Sequence, residues 1–406
     1  MADTINSMTL YVAGGGGKDF YPWNLVLEEG FSRLYRGELT VLSEKKHDMP
    51  ELAGLLDKGI SLSLSQRVGT GDALRTRYLH GIVTEARCAG VFSDGKKKDC
   101  YSYIFTIEPE LARLKFTRLT APYYRVTPPD IFESILRKYR IEARMEQQYI
   151  SRTQYGKTLL FDQSDMSDFD FIRGIAGLYG SSFTFVHPKT GASALGSEGL
   201  YFSDGNKFPR TDVVYSDKRE EPDTVKFDFL GTAEAQSVWK MDRWVMSRSI
   251  GFDGFKLSAP YPDANYGSDQ WKWGKTGEGD RYVNQRRLFH GYEREAEKGE
   301  VDKDVARILE VRRLTVEQDK VRWTAGAGNL ALRPGLILEL GHFYGKKDRD
   351  VFIALVTAIT LRHRALWPVD FAAAVEGSGG EITEVEGSCV NWGKDAEKRF
   401  CPSYGV

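Results

Sequence analysis

The sequence predicts a mainly β chain with α+β insertions: two similar antiparallel β-barrels and a small α/β domain. Three features of the 406 residues point there. The first third alternates apolar and polar residues, helical periodicity appears after about residue 118, and a later β region repeats the motifs of the first.

The alternation is clearest where Ile60, Leu62 and Leu64 interleave with Ser61, Ser63 and Ser65, the period of a half-buried strand. A Gly-rich turn over 68–72 leads into a strand at 75–88, and Ser93-Asp94-Gly95 turns the chain back. The returning segment YSYIFTIEPELARL puts Tyr101, Tyr103, Phe105 and Ile107 on one face, so several hairpin-linked strands form a small sandwich or barrel. Within RTRYLHGIVTEARCAG, His80 stands beside Gly81. This is either a catalytic histidine on a glycine-hinged strand or a barrel bend with packed side chains. His80 lacks a nearby carboxylate on its own face, which favours the second, with Gly81 relieving crowding at the bend.

In VTPPDIFESILRKYRI, Thr127 is the expected N-cap, Pro128 opens the helix and Asp130 completes a capping box. Ile131, Ile135 and Leu136 face inward, with Tyr139 one turn on. A second helix in DQSDMSDFDFIRGIAGLYG is capped by Ser167 or Asp165, carries Phe169, Ile172, Ile175 and Ala176 as its stripe, and stops at Gly180. SSFTFVH follows as a strand. TVKFDFLG alternates through Val225, Phe227 and Phe229, and PYPDANYGSDQWKWGKTGEGD reads as a loop bearing Trp271 and Trp273. A third helix is expected over 301–319 on Val305, Ile308, Leu309 and Val316. Two strands then close the fold: LRPGLILELGHF, and DVFIALVTAITLRHR, which is apolar on both faces and expected to be buried on both. Beyond Ala373 the Gly-, Ser- and charge-rich tail is expected to be loosely held.

The two β regions resemble each other. DKGISLSLS and YLHGIVTEA match RPGLILELG and VFIALVTAI, aligning Gly59 with Gly335 and Ile82-Val83-Thr84 with Leu355-Val356-Thr357. The resulting division is 1–117, first barrel; 118–215, α/β domain; 216–250, first strands of the second barrel; 251–320, loop-rich and helical insertion; 321–373, remainder of the second barrel; 374–406, C-terminal tail.

A composition of 41% hydrophobic and 28% charged residues, with net charge −1, is that of a folded soluble protein with no global pull toward nucleic acid or anionic membrane. The first residues lack a signal-peptide pattern, and the most apolar run, 351–360, is half a membrane span, so synthesis in the cytoplasm without stable membrane insertion is expected. Cys88, Cys100, Cys389 and Cys401 are expected as thiols, the first two bracketing a hairpin tip across which they could lie close.

No cofactor, metal or catalytic set emerges. AGGGGKDF lacks the residue after lysine that a phosphate loop needs, and VGTGDA precedes no helix. Asp162, Asp165, Asp168 and Asp170 lack calcium-loop spacing and read as caps and a solvated face. A cell-wall hydrolase would use acids of 162–170 or 293–304, and a carbohydrate-binding module would use Tyr266, Trp271 and Trp273; these are the alternatives.

The ordered segments LYRGELTVLS, RYLHGIVTEA, YSYIFTIEPELARLKFT, VTPPDIFESILRKYRI and DQSDMSDFDFIRGIAGLYGSSFTF resemble the hub domain of VgrG spike proteins of type VI secretion and of contractile phage tails, the late-control-D type. GLYFSDG and ALRPGLILELGHF through FIALVTAITLRHRAL continue the similarity to about residue 373. The resemblance implies a non-enzymatic homotrimer whose barrels form a pseudo-sixfold ring. Such a ring adapts a hexameric inner tube (Hcp-like or tail tube) to a trimeric spike or needle, beside baseplate wedge proteins. It departs from the VgrG pattern in lacking the small OB-like barrel and needle, so the spike is either a separate polypeptide or a further part of a longer chain. Tyr78, Ile82, Val83, Phe352, Leu355 and Val356 are the expected residues for barrel integrity and ring contacts, with Trp271 and Trp273 for partner contact.

Overall fold

The computed structural model describes residues 6–15, 17–67, 74–93, 99–144, 158–189, 195–203, 213–215, 227–228, 251–258, 281–287, 322–327, 330, 332–335, 337–340, 352–365 and 382–388. The chain opens with β1 (Asn6–Val12), β2 (Tyr21–Gly30), β3 (Arg36–Ser43), the short helix α1 (Met49–Ala53), β4 (Gly59–Arg67), β5 (Leu74–Ser93) and β6 (Asp99–Glu108). Every pairing among these strands is antiparallel, in the order β1-β4-β5-β6-β3-β2. Their apolar rows, including Leu25, Leu39, Ile60, Leu62, Phe105 and Ile107, are buried, so the period-two alternation was a true reading of one covered face.

The α/β segment follows: β7 (Arg118–Val126), α2 (Pro128–Lys138), β8 (Ala143–Arg144), β9 (Thr158–Ser167), α3 (Asp168–Tyr179), β10 (Ser182–Val186) and β11 (Gly199–Ser203). Strands β7 and β9 form a ribbon, and β10-β11-β8 a small sheet. The capping box of Thr127 and Asp130 is present, and Ser167, not Asp165, caps α3 by accepting from the Asp170 amide at 3.0 Å. The expected stripes of α2 and α3 are buried, and they share one hydrophobic cluster with the first sheet. Asp168 corrects the solvated-face expectation. It is fully buried, accepting from Tyr139 Oη and Gln163 Nε2, each at 2.7 Å.

Beyond it lie β12 (Val213–Tyr215), β13 (Phe227–Asp228), the parallel pair β14 (Gly251–Ser258) and β15 (Arg281–Arg287), then β16 (Arg322–Ala327), β17 (Ile337–Leu340), β18 (Phe352–Arg364) and β19 (Ile382–Ser388). Leaving β14 and β15 aside, these strands pair in the order β12-β17-β18-β19-β16-β13. Taken in chain order, this is the order of the first set, strand for strand; it differs in that β12 runs parallel to β17, whereas β1 and β4 are antiparallel.

Finer details repeat as well. β5 bulges at Thr84 against β6, and β18 bulges at Thr357 against β19. Asp57 donates its amide to the Val83 carbonyl at 2.8 Å, and Gly335 donates to Val356 at 3.0 Å. Asp57 and Gly335 both adopt positive φ, 60° and 91°, at the turn entering the strand pair. The structural counterpart of Gly335 is therefore Asp57, not Gly59. The two-residue offset preserves which side chains face inward, since strand faces repeat every second residue.

The two sets join in one curled sheet where β2 pairs antiparallel with β18, from Gly30↔Ala358 to Asn24↔Arg364. The curl brings β1 back toward this joint, with buried His363 Nε2 3.3 Å from the Ser7 carbonyl.

Three expectations change. The tail beyond Ala373 supplies β19, a strand paired on both sides, between β18 and β16. β18 is not equally buried on both faces: Val356, Ile359, Leu361 and His363 are buried, while Thr357, Ala358 and Thr360 are half-buried and Arg362 is exposed. Cys88 and Cys100 do not meet: Cys88 lies opposite Tyr103 and Cys100 opposite Phe92, and both are free thiols. The predicted third helix, Cys389 and Cys401 lie outside the described residues.

Replacing Ser167 with Ala removes the α3 cap acceptor. It should lower stability by about 1 kcal/mol, read as a shifted urea midpoint with unchanged slope.

Candidate functional site

A buried polar constellation lies where β2, β5, the α/β segment and the turn before β17 meet. Glu29 on β2 and Arg77 on β5 form an ion pair with both side chains almost fully buried. Arg77 also donates to the Leu332 carbonyl at 2.7 Å, so one guanidinium ties the first strand set to the second. Burial pushes the Glu29 carboxyl up, but Arg77 and His187 outweigh burial and hold it down at about 2. The pair is thus ionised at neutral pH, as a buried charge must be if it is matched.

His187 sits between Glu29 and His80. Its Nδ1 accepts from the His80 amide at 3.1 Å, which puts the proton of the neutral ring on Nε2. That proton faces Glu29 Oε1 across 3.7 Å, too long for a hydrogen bond. Burial holds His187 below its ordinary range, favouring this neutral form.

Both His80 ring nitrogens are committed. Nε2 donates to the Pro188 carbonyl at 2.8 Å, and Nδ1 accepts from Ser61 Oγ at 3.0 Å, which in turn accepts the Gly196 amide at 2.8 Å. Burial lowers its pKa, and the ring is fully inaccessible. It is a packed structural histidine, which settles the choice the sequence posed. Gly81 has a different task from the one expected. The strand irregularities lie at Thr84 and Ala89, and a Cβ on Gly81 would stand 2.5 Å from Tyr35 Oη and 2.6 Å from the Glu108 carbonyl. Gly81 makes room for a tyrosine rather than for a bend.

Tyr35 Oη lies within hydrogen-bond reach of two acceptors, the His80 carbonyl and the Glu198 carboxyl. A phenol has one proton, so the chain is complete when Glu198 is protonated: Glu198 donates to Tyr35, and Tyr35 donates to His80. Burial accordingly raises the Glu198 carboxyl to about 8, against the bonds from Tyr35 and the Glu110 amide. Glu198 borders a polar cavity of about 210 Å³ lined also by Glu110, Arg140, Phe185 and Ser197.

Of the residues singled out from sequence, Ile82, Val83 and Val356 are buried in the chain's own core. Tyr78 is half-buried and stacks on His80, with ring centroids 6.3 Å apart. Phe352 and Leu355 pair with Leu340 and Ile337 on β17. Tyr266, Trp271, Trp273 and the acids of 293–304 lie outside the described residues. Tyr35, Glu29, Arg77, His187 and Glu198 were not anticipated. They are isolated polar residues far apart in sequence, and no spacing links them. Among the described residues no group of His, Cys, Asp and Glu is arranged to hold a metal ion, and no helix is long and apolar enough to cross a membrane.

Residues 28–364 match the phage tail baseplate hub family. The chain belongs to that family. Its role is structural, in a contractile injection machine. No curated protein matches the chain. Among solved structures, an Escherichia coli type VI secretion component described as similar to the T4 tail proteins gp27 and gp5 aligns with TM-score 0.56 and 16% identity, covering 98% of this chain and 79% of the other. A tail protein from Neisseria meningitidis aligns at 0.51 and 10% over 94% of this chain and 96% of its own. In a Francisella PdpA-VgrG complex the match is 0.54 and 10%, over all of this chain and 60% of that one. At these identities the neighbours establish a shared fold for the hub protein.

Three outcomes are expected. Arg77→Met strands the Glu29 carboxylate and should cost about 3–5 kcal/mol, seen in denaturant unfolding. Gly81→Ala should cost about 2 kcal/mol through collision with Tyr35 and the Glu108 carbonyl. Glu198 has a folded pKa of about 8, above its ordinary 4.5, so its contribution is present below pH 4.5 and is lost as pH rises toward 8. The thermal midpoint of Glu198→Gln, relative to the native protein, should therefore climb across that window and level off outside it.

Proposed function

We infer that this hub protein forms a trimeric ring whose two strand sets per chain become six barrel units, adapting a hexameric inner tube to a trimeric spike. What supports this is the recurrence of one strand order, one bulge and one turn within a single chain. Two near-copies per chain are what three chains need in order to offer approximate sixfold symmetry on one side and threefold on the other. Each set would close as a barrel, with 118–215 as the α/β domain between them, 251–320 as an insertion and 374–406 leading toward the spike.

In this proposal Ile82, Val83 and Val356 keep the barrels intact, Tyr78, Phe352 and Leu355 serve barrel and ring contacts, and Trp271 and Trp273 meet a partner. Partners would be the tube protein, the spike or needle, and baseplate wedges, in the baseplate of a secretion apparatus or phage-like particle. The work is symmetry matching and force transmission, without catalysis.

Light scattering behind a sizing column tests the ring directly. The expected mass is three times the 45.9 kDa chain, and a monomer at all concentrations would refute self-assembly into a trimer.

A further inference from the structure

The cavity bordered by Glu198 combines two kinds of wall. Leu111 in the turn after β6, Ile141 after α2, Phe185 on β10 and Leu200 on β11 give it an apolar lining. Three of these, Leu111, Phe185 and Leu200, are themselves buried, so the lining is continuous with the core. Glu110, Glu142 and Glu198 add three carboxyls, against the one guanidinium of Arg140. Glu110, Arg140 and Glu142 are exposed and Glu198 is half-buried, which makes Glu198 the innermost of the acids.

Glu198 has no cation of its own. Its contacts are Tyr35 Oη and the Glu110 amide, the latter donating to Oε1 at 2.7 Å, and among the described residues it forms no ion pair. The basic residue that acts on it, Arg113, is committed elsewhere, to Asp57 at 2.9 Å and to Glu110 at 3.8 Å. Glu29 shows what a guanidinium does for a carboxyl in this chain. Burial pushes both acids up, but Arg77 overturns it at Glu29, which falls to about 2, whereas Glu198 rises to about 8.

We propose that this cavity receives an arginine side chain of a partner protein, its guanidinium against Glu198 and its stem against Phe185 and Leu200. A cation carried on an apolar stem matches carboxyls set among apolar walls. Guanidinium is more weakly hydrated than ammonium, so it is the less costly cation to bring to a half-buried acid. At about 210 Å³ the cavity is smaller than the ~300–1,000 Å³ of a drug-sized ligand's site and suits a single side chain. An ionised carboxylate accepts about four hydrogen bonds, so Glu198 can keep those from Tyr35 and the Glu110 amide and still accept from the guanidinium. The arriving cation ionises Glu198, whose proton passes to the solvent. The site goes beyond the ring reading and holds whether or not the chain assembles into a trimer.

Titration calorimetry of the full chain with N-acetyl-arginine methylamide, an arginine side chain on a capped backbone, tests the site. At pH 7, runs in phosphate and in Tris should show saturable binding with about one proton released per cation. Affinity should rise about tenfold by pH 9, where Glu198 is already ionised. The citrulline analogue, of the same shape but uncharged, should not bind, and equal affinity for it would overturn recognition by charge. Glu198→Gln mimics the protonated acid; with its fold checked by circular dichroism, it should release no proton and lose the rise with pH. Propylguanidinium separates the two sources of the cation. If it binds and the capped arginine does not, the site takes a free small cation and the partner side chain is overturned. Binding of neither, or binding to native protein without proton release, overturns the site itself.

Discussion

The β2–β18 ladder is the joint on which the rest of the architecture depends. It makes one continuous sheet from two strand sets, and the Glu29–Arg77 pair pins it from within. Glu29 belongs to β2 and lies opposite Ile359 of β18, while Arg77 reaches from β5 to the carbonyl of Leu332 ahead of β17. A buried ion pair contributes little net stability compared with apolar packing, but it penalises every arrangement that leaves one charge alone. The pair thus specifies how the sets meet more than it strengthens either of them.

The polar network above it follows the same logic with opposite protonation. Glu29 is kept ionised because a guanidinium faces it, whereas burial raises the Glu198 carboxyl to about 8 against the bond from Tyr35. Burial favours neutral rings for both histidines; His80 has both nitrogens bonded, while His187 is held through Nδ1 and its buried Nε2 has no hydrogen-bond partner among the described residues. The cluster reads as a rigid connection between the first sheet and the α/β segment, which suits a protein whose work is to hold geometry.

Duplication explains both the economy and the asymmetry of the fold. The second copy retains the bulge and the positive-φ turn, but where Asp57 serves in the first, Gly335 serves in the second. The first copy inserts α1 between its third and fourth strands, whereas β16 and β17 are joined by a shorter connection. These differences distinguish the two units while leaving the strand order untouched.

Sequence by itself determined the local structure: the Ile60–Leu64 alternation, the Thr127–Asp130 capping box, the buried stripes of α2 and α3, and the existence of a repeat. Each depends on residues a few positions apart, whose side-chain periodicity is written directly in the chain. It aligned Thr84 with Thr357 correctly but set Gly59 rather than Asp57 against Gly335, because a period-two pattern scores equally well at either offset. It also assigned Gly81 to a bend and missed β19. Only the tertiary structure decided that Gly81 yields space to Tyr35, that Arg77 finds Glu29, and that residues 382–388 enter the sheet. These depend on contacts between segments tens to hundreds of residues apart, where close approach and burial, rather than local pattern, set the cost of being wrong.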